Sequence, residues 1–347
     1  MLPTRAYAAK SSTSPLAPYE FERREVGAHD VLIEILYCGI CHSDIHTVRG
    51  EWGNMPYPVV PGHEIVGRVA KVGAQVKKFK VGDAAGVGCM VDSCRTCGQC
   101  KDHTEQFCEN GMSGTYCSTE QDKKTLTQGG YSSQIVVNED FVLKINSTMP
   151  LQNIAPLLCA GITTYSPLKK FNAGPGKKVA VMGLGGLGHM AVKLAASMGA
   201  DVTVLSHSPS KEKDAKKLGA SHFLLMASPD QFNTHKKSFD LILNTVAGDH
   251  DLNAYLGLLK THGTLVLISV PEKPYALGAF PIIVDARTIA GSLIGGIKET
   301  QEMLDYCAAK NIGSDIELIP VEKINEAYNR TVKGDVRYRF VIDMKTL

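Results

Sequence analysis

The chain is expected to fold as α/β, a doubly wound parallel sheet joined to a compact β-rich part, and three observations carry that expectation. Its 347 residues, 44% hydrophobic and 21% charged, are ordinary for a globular protein and long enough for two domains. The run Lys178-Val179-Ala180-Val181-Met182 is apolar and β-rich, meets a glycine turn at once and passes into a helical stretch reaching Met198. Early segments such as 31–36 alternate poorly but are β-branched and end in glycine, which suits a small β fold.

The charge balance narrows the partners. A net charge of +2, with no dense Lys/Arg block, gives no long-range field for nucleic acid or a membrane surface, so a small-molecule partner is expected. Residues 1–10 lack a signal-peptide core, and no apolar run approaches the roughly 18 residues of a membrane span, so the expectation is a cytoplasmic protein. Ten cysteines is a high count, and the spacing of most fits metal ligation better than disulfides.

In the β-rich part, Cys41-His42-Ser43-Asp44 is followed about twenty residues later by Gly62-His63-Glu64. A thiolate, an imidazole and a carboxylate thereby come within reach of one metal ion. Zinc that works on a substrate takes three protein ligands from Cys, His and Asp/Glu and leaves a position open. Cys41 and His63 are two such ligands, and Cys159, in Leu157-Leu158-Cys159-Ala160-Gly161, is the leading third. A second cluster, Cys94-x2-Cys97-x2-Cys100-x7-Cys108, packs four thiols into a polar, glycine-containing stretch, the donor set of a closed structural zinc. Two zinc ions per chain are therefore expected. A pair of disulfides or a redox loop is the competing reading, and a nucleic-acid zinc ribbon lacks the basic stripe it needs. Cys38, Cys89, Cys117 and Cys307 remain, each read as a small buried hydrophobe.

The glycine turn is Gly183-Leu184-Gly185-Gly186-Leu187-Gly188. Gly183 permits the tight turn, Gly185 lets the backbone approach a pyrophosphate, and Gly188 allows helix to pack on strand, while the helix N-terminus offers N–H groups to phosphate. Strand or helix signals follow at 201–205, 211–218, 239–246 and 263–270, as a parallel sheet requires. An acid at the end of the second strand would bond a ribose 2′-OH and repel a 2′-phosphate. The segment there reads Ser206-His207-Ser208-Pro209-Ser210-Lys211, with hydroxyls and a lysine in its place. NADP(H) is favoured, with Ser206, Ser208 and Lys211 as contacts and His207 flanking the adenine; Ser208 or Ser210 serves equally to cap the next helix.

These residues resemble the zinc-dependent medium-chain alcohol dehydrogenases. The resemblance rests on Gly62-His63-Glu64-x2-Gly67-x5-Gly73-x2-Val76, on Cys41-His42-Ser43-Asp44-x-His46, and on the cysteine lobe and glycine turn in the family's order, covering nearly the whole chain. Cys159-Ala160-Gly161-Ile162-Thr163-Thr164-Tyr165 and Gly334-Asp335-Val336-Arg337-Tyr338-Arg339-Phe340 look most like the cinnamyl alcohol dehydrogenase branch and its NADPH-dependent aldehyde reductases.

The resemblance implies a GroES-like catalytic domain over 1–150 and 288–347, ending in a strand over 336–343, around a Rossmann domain over 151–287, with the active site in the cleft between them. Cys41, His63 and Cys159 would hold the catalytic zinc, with Glu64 binding it or standing behind it. Asp44 would orient His63, Ser43 would bond the alkoxide and pass its proton toward His46, and Thr163 would contact the nicotinamide side. His42 takes a position where other branches place Arg against the pyrophosphate, and Arg337 would assist with the phosphates. The apolar segment 277–296 would supply the edge of a homodimer, or be simply a buried strand. The activity implied is hydride transfer between NADP(H) and aromatic or medium aliphatic aldehydes and alcohols, cinnamyl and benzyl compounds first. Trp52, the single tryptophan, suits the wall of such a pocket and suits ordinary packing as well. An NAD-linked polyol or secondary-alcohol dehydrogenase is the second reading, and a non-catalytic zinc-stabilised nucleotide-binding protein the third.

Overall fold

The computed structural model describes residues 1–271 and 273–347, which divide into two units, Met1–Ile162 with Gly295–Leu347, and Thr163–Ile294. Both crossings lie later than the expected 150/151 and 287/288. The first is late because the short helices Leu151–Ile154 and Ala155–Leu158 pack on strands Asp30–Gly39 and Ile65–Val72 of the first unit. The second is late because strand Thr288–Gly291 joins the second unit's sheet beside Leu259–Leu267.

That sheet is six-stranded and parallel throughout, in the order His222–Leu225, Asp201–Ser206, Lys178–Met182, Phe239–Asn244, Leu259–Leu267, Thr288–Gly291. Order reverses on either side of Lys178–Met182, the doubly wound arrangement expected. The strand has the limits read from its apolar run, and helix Gly186–Ser197 follows its glycine turn. The helical stretch expected over 211–218 opens instead as a single turn at Pro209–Lys211, since Pro209 sets a helical φ at a first position, and continues as Glu212–Lys217.

In the first unit the central sheet runs Ile316–Pro320, Arg339–Asp343, Asp30–Gly39, Ile65–Val72, Ala84–Val87, Leu143–Lys144, with Gln134–Asn138 also on Asp30–Gly39. The last strand begins at Arg339 rather than 336, because the Arg337 N–H donates to the Glu317 side chain (3.2 Å) instead of to a ladder partner. Antiparallel pairing sets Cys38 opposite Ile65 and Ile65 opposite Val87. Cys41, His63-Glu64 and Cys89 lie just beyond those paired ends, so strand register alone gathers them at one end of the sheet. Among the described residues no helix is long and apolar enough to cross a membrane.

Candidate active site

Cys41, His63, Glu64 and Cys159 are all buried and offer ligand atoms within 4.8 Å of one another. The two sulfurs stand 3.9 Å apart, far too long for a disulfide and close to the roughly 3.8 Å edge that two Zn–S bonds of about 2.3 Å subtend in a tetrahedron. Cys159 arrives through backbone contact: a Cβ at Gly88 would lie 3.1 Å from the Leu158 carbonyl oxygen, so the chain before Cys159 passes directly over the glycine. Gly62, at φ +103°, turns His63 inward where a Cβ would strike Tyr131 and Cys38 at 2.7 and 2.8 Å.

Asp44 ties these pieces together. Wholly buried, its carboxylate accepts from the Cys41 N–H (2.9 Å), the Gly62 N–H (3.0 Å), His63 Nδ1 (2.9 Å) and the Tyr131 hydroxyl (3.3 Å). Bonding Nδ1 leaves Nε2 of His63 as the ligand atom, the arrangement metal-bound imidazoles require. Burial works against the imidazolium, but Asp44, Cys89 and Cys41 together raise the pKa of His63 well above its ordinary value. A hydrogen bond from Cys159 holds Cys41 well below the usual thiol range against the opposing effect of burial, with His63 adding to it.

Glu64 has a partner the sequence did not disclose. One carboxylate oxygen bonds Arg339, itself buried, while the other, Oε2, is buried without a hydrogen-bond partner. A buried carboxylate oxygen without a hydrogen-bond partner, beside two sulfurs and an imidazole, is a donor set for a cation, so these residues fit zinc. Burial pushes the Glu64 carboxyl up to about 8, with Arg339 opposing the shift. Gly39 explains how the carboxylate fits, since a Cβ there would lie 1.8 Å from Oε2.

Around this cluster, Ser43 Oγ lies 3.6 Å from Cys41 Sγ. Ser43, Asp44 and His46 share the short helix His42–Val48, on which His42 is exposed and its ring 6.2 Å from that of His46. Nδ1 of His46 pairs with the Glu51 carboxylate, and its ring stacks on Trp52 at 5.2 Å and 25°. Trp52 is half exposed, at 48%, and so packs on the expected proton carrier as well as facing outward. The Tyr116 ring stands 5.7 Å from His63. Cys89 is more than the inert hydrophobe expected: its thiol donates to the Leu158 carbonyl (3.7 Å) and hydrogen-bonds Cys159. Tyr116, Cys89 and Arg339 carry no local spacing pattern and come in from segments distant in sequence, whereas Glu51 is a local partner five residues after His46.

Cys94, Cys97, Cys100 and Cys108 form the second cluster, their sulfurs also within 4.8 Å of one another, with Cys94 and Cys100 3.9 Å apart. Backbone N–H groups of Thr96 and Cys97 lower Cys94 to about 5, whereas burial raises Cys100 to about 12. Four sulfurs at tetrahedral spacing fit a closed zinc site.

In the second unit, Gly183 has φ +82°. A Cβ at Gly188 would lie 2.3 Å from the Gly183 carbonyl oxygen, while Gly185 has open space at its Cβ position ahead of the helix N-terminus. The exposed glycine and the amides behind it form a cradle that fits a pyrophosphate. Leu184 is buried beneath the turn, and Gly186 and Leu187 begin the helix. At the end of strand Asp201–Ser206, the Ser206 hydroxyl accepts from the Ser208 N–H (3.1 Å), His207 and Ser208 are exposed, and Lys211 closes the turn Pro209–Lys211. Thr163 is buried near the start of helix Ala160–Lys170. Arg337 belongs to the first unit, with its guanidinium against the Tyr338 ring.

Comparison with known proteins gives two family matches, an alcohol dehydrogenase GroES-like domain over residues 27–147 and a zinc-binding dehydrogenase over residues 186–309. The NADP-dependent alcohol dehydrogenase C 1 of Mycolicibacterium smegmatis is 58% identical over 343 residues, 99% of this chain and 98% of that protein. The aldehyde reductase YahK of Escherichia coli is 54% identical over 345 residues, 99% of each chain. Among solved structures, a cinnamyl alcohol dehydrogenase of Sorghum bicolor superposes with a TM-score of 0.96 at 43% identity, covering 99% of this chain and 98% of that one.

Proposed function

The chain belongs to the zinc-dependent medium-chain alcohol dehydrogenases, and for its work as an NADP(H)-dependent alcohol dehydrogenase and aldehyde reductase we propose the following roles for its residues. Cys41, His63 and Cys159 hold one zinc, and Cys94, Cys97, Cys100 and Cys108 hold a second that is structural. The observation that carries this reading is the buried Cys41-His63-Glu64-Cys159 cluster with its orphaned carboxylate oxygen.

When bound, zinc supplies Lewis acidity toward an alcohol or carbonyl oxygen, and NADP(H) supplies or accepts the hydride. The remaining work falls to side chains. Asp44 keeps His63 in one tautomer and ring orientation. Arg339 holds Glu64 in place behind the sulfurs, and its guanidinium offsets the negative charge gathered there. Ser43 Oγ holds the proton that the substrate hydroxyl exchanges, and His46, paired with Glu51, carries it onward. Gly183 to Gly188 and His42 bind the pyrophosphate, assisted by Arg337, and Thr163 contacts the nicotinamide side. Ser206, Ser208 and Lys211 bond the 2′-phosphate, with His207 against the adenine. Trp52 and Tyr116 give planar surfaces suited to aromatic and medium aliphatic aldehydes.

A homodimer is part of this reading. Strand Thr288–Gly291 ends the six-stranded sheet, and near it Phe280, Ile283, Val284 and Leu293 are exposed. An uncovered sheet edge with apolar neighbours suits a second copy of the chain.

The test is turnover of a panel of cinnamyl, benzyl and aliphatic aldehydes with NADPH and with NADH, for the natural chain and Cys41→Ala. NADPH-selective reduction that Cys41→Ala abolishes while keeping its circular dichroism is the expected result. Undiminished turnover by a Cys41→Ala protein depleted of that zinc would overturn the assignment.

A further inference from the structure

His207 follows the second strand of the parallel sheet and is exposed, yet its ring is held. Its Nε2 stands 3.2 Å from the hydroxyl of Tyr255. Tyr255 lies on helix Leu252–Leu256 and is 5% exposed, packed in a core with Leu205, Met226, Leu252 and Leu256. Phe232 meets its ring edge-on at 5.1 Å and 83°, and His250 meets it at 5.7 Å and 90°. His250 is fixed in turn by the wholly buried Asn244 at the end of strand Phe239–Asn244, through a 3.1 Å contact at Nε2, and by the Gly248 carbonyl at Nδ1 (2.7 Å). The phenol therefore cannot swing away from His207 without disturbing packing that links two strand ends.

Burial pushes the Tyr255 phenol above its ordinary pKa, so it stays protonated and able to donate. An imidazole that accepts this proton at Nε2 carries its own proton on Nδ1. That N–H then stands one residue beyond Ser206, where the chain carries no acid and where a 2′-phosphate-bearing nucleotide is read.

We propose that Tyr255 is a positioning residue for cofactor selection: by donating to Nε2 it fixes His207 as the Nδ1–H tautomer and makes that N–H a donor to the 2′-phosphate, alongside Ser206, Ser208 and Lys211. The inference rests on the NADP(H) reading above and adds a specific donor and the group that aims it. A hydrogen bond to a phosphate dianion is charge-assisted and directional, so a ring free to flip or change tautomer delivers less of it. An adenosine ligand without the 2′-phosphate gains nothing from it.

The experiment measures dissociation constants of 2′,5′-ADP and 5′-AMP by calorimetry for the natural protein, Tyr255→Phe, His207→Ala and the double variant, without turnover. The natural protein should prefer 2′,5′-ADP. Each single change should reduce that preference about three- to tenfold; 5′-AMP binding should hold in Tyr255→Phe and weaken in His207→Ala, which also removes the ring against the adenine, and the double variant should lose no more of the preference than either single one. Nitrogen-15 NMR of labelled histidine should show His207, identified by its loss in His207→Ala, as the Nδ1–H tautomer in the natural protein and as a mixture in Tyr255→Phe. An unchanged preference in Tyr255→Phe, additive losses in the double variant, or an Nε2–H tautomer in the natural protein would each overturn the proposal. If Tyr255→Phe does not fold, the tautomer of the natural protein and the His207→Ala preference decide alone. If the natural protein shows no preference for 2′,5′-ADP, the cofactor reading fails first and takes this inference with it.

Discussion

Asp44 accepts four hydrogen bonds with no solvent exposure, from groups up to 87 residues away, and both metal-site segments are anchored to it. Asp44→Asn puts an amide N–H where the carboxylate now accepts, freeing the His63 ring and weakening the segment contacts. Zinc affinity and kcat should each fall by about ten- to a hundredfold, read by chelator competition and steady-state kinetics. The Glu64–Arg339 pair makes a different prediction. Arg339→Met leaves Glu64 buried without its cation and should destabilise the fold by about 3–5 kcal/mol in urea unfolding, a loss that Glu64→Gln in the same chain should largely restore. Equal destabilisation in the single and double variants would show that the pair is not what Arg339 supports. That Cys41, His63 and Cys159 would meet was legible in the sequence, because thiol and imidazole at that spacing have few other uses. Arg339 was not, since its partner lies 275 residues earlier and nothing local marks it.

At the scale of elements, the edge strand Thr288–Gly291 is secured by a charged knot just before it. Arg287 donates to the carbonyls of Leu259 (3.1 Å) and Pro281 (2.7 Å) and pairs with Asp285 (2.7 Å), which also holds Lys237 (2.7 Å). Lys237 and Thr261 keep the Asp285 carboxyl below its ordinary 3.8. Because its folded pKa is depressed, the contribution is complete above that ordinary value and is lost as pH falls through the lower folded value. Asp285→Asn should therefore lower stability at neutral pH and flatten its acid dependence, with the difference from the natural protein closing in strong acid. If the proposed homodimer forms through this edge, Phe280→Asp, at a residue 77% exposed, should leave monomer stability intact and shift size-exclusion elution from dimer to monomer. Strand Lys178–Met182 was readable because an apolar run met a glycine turn. Strand starts were not: Leu259–Leu267 begins before the expected 263 and Arg339–Asp343 after 336, since the ladder partner, absent from any local window, decides where pairing opens.

Over the whole molecule, the chain leaves its first unit at Ile162 and returns at Gly295, so the metal-site unit is completed only when its last stretch delivers Arg339 to Glu64. The four-cysteine cluster lies in that unit, and the role proposed for it is structural. Cys97→Ser should lower thermal stability and zinc content while the protein that remains folded keeps its KM for aldehyde. The central claim, that Cys41, His63 and Cys159 hold a zinc distinct from the cysteine lobe, is tested most directly by zinc content per chain in purified Cys41→Ala, measured by mass spectrometry beside the natural protein. The account predicts about two zinc ions in the natural chain and about one in the variant. Two in both, or one in both, would contradict it.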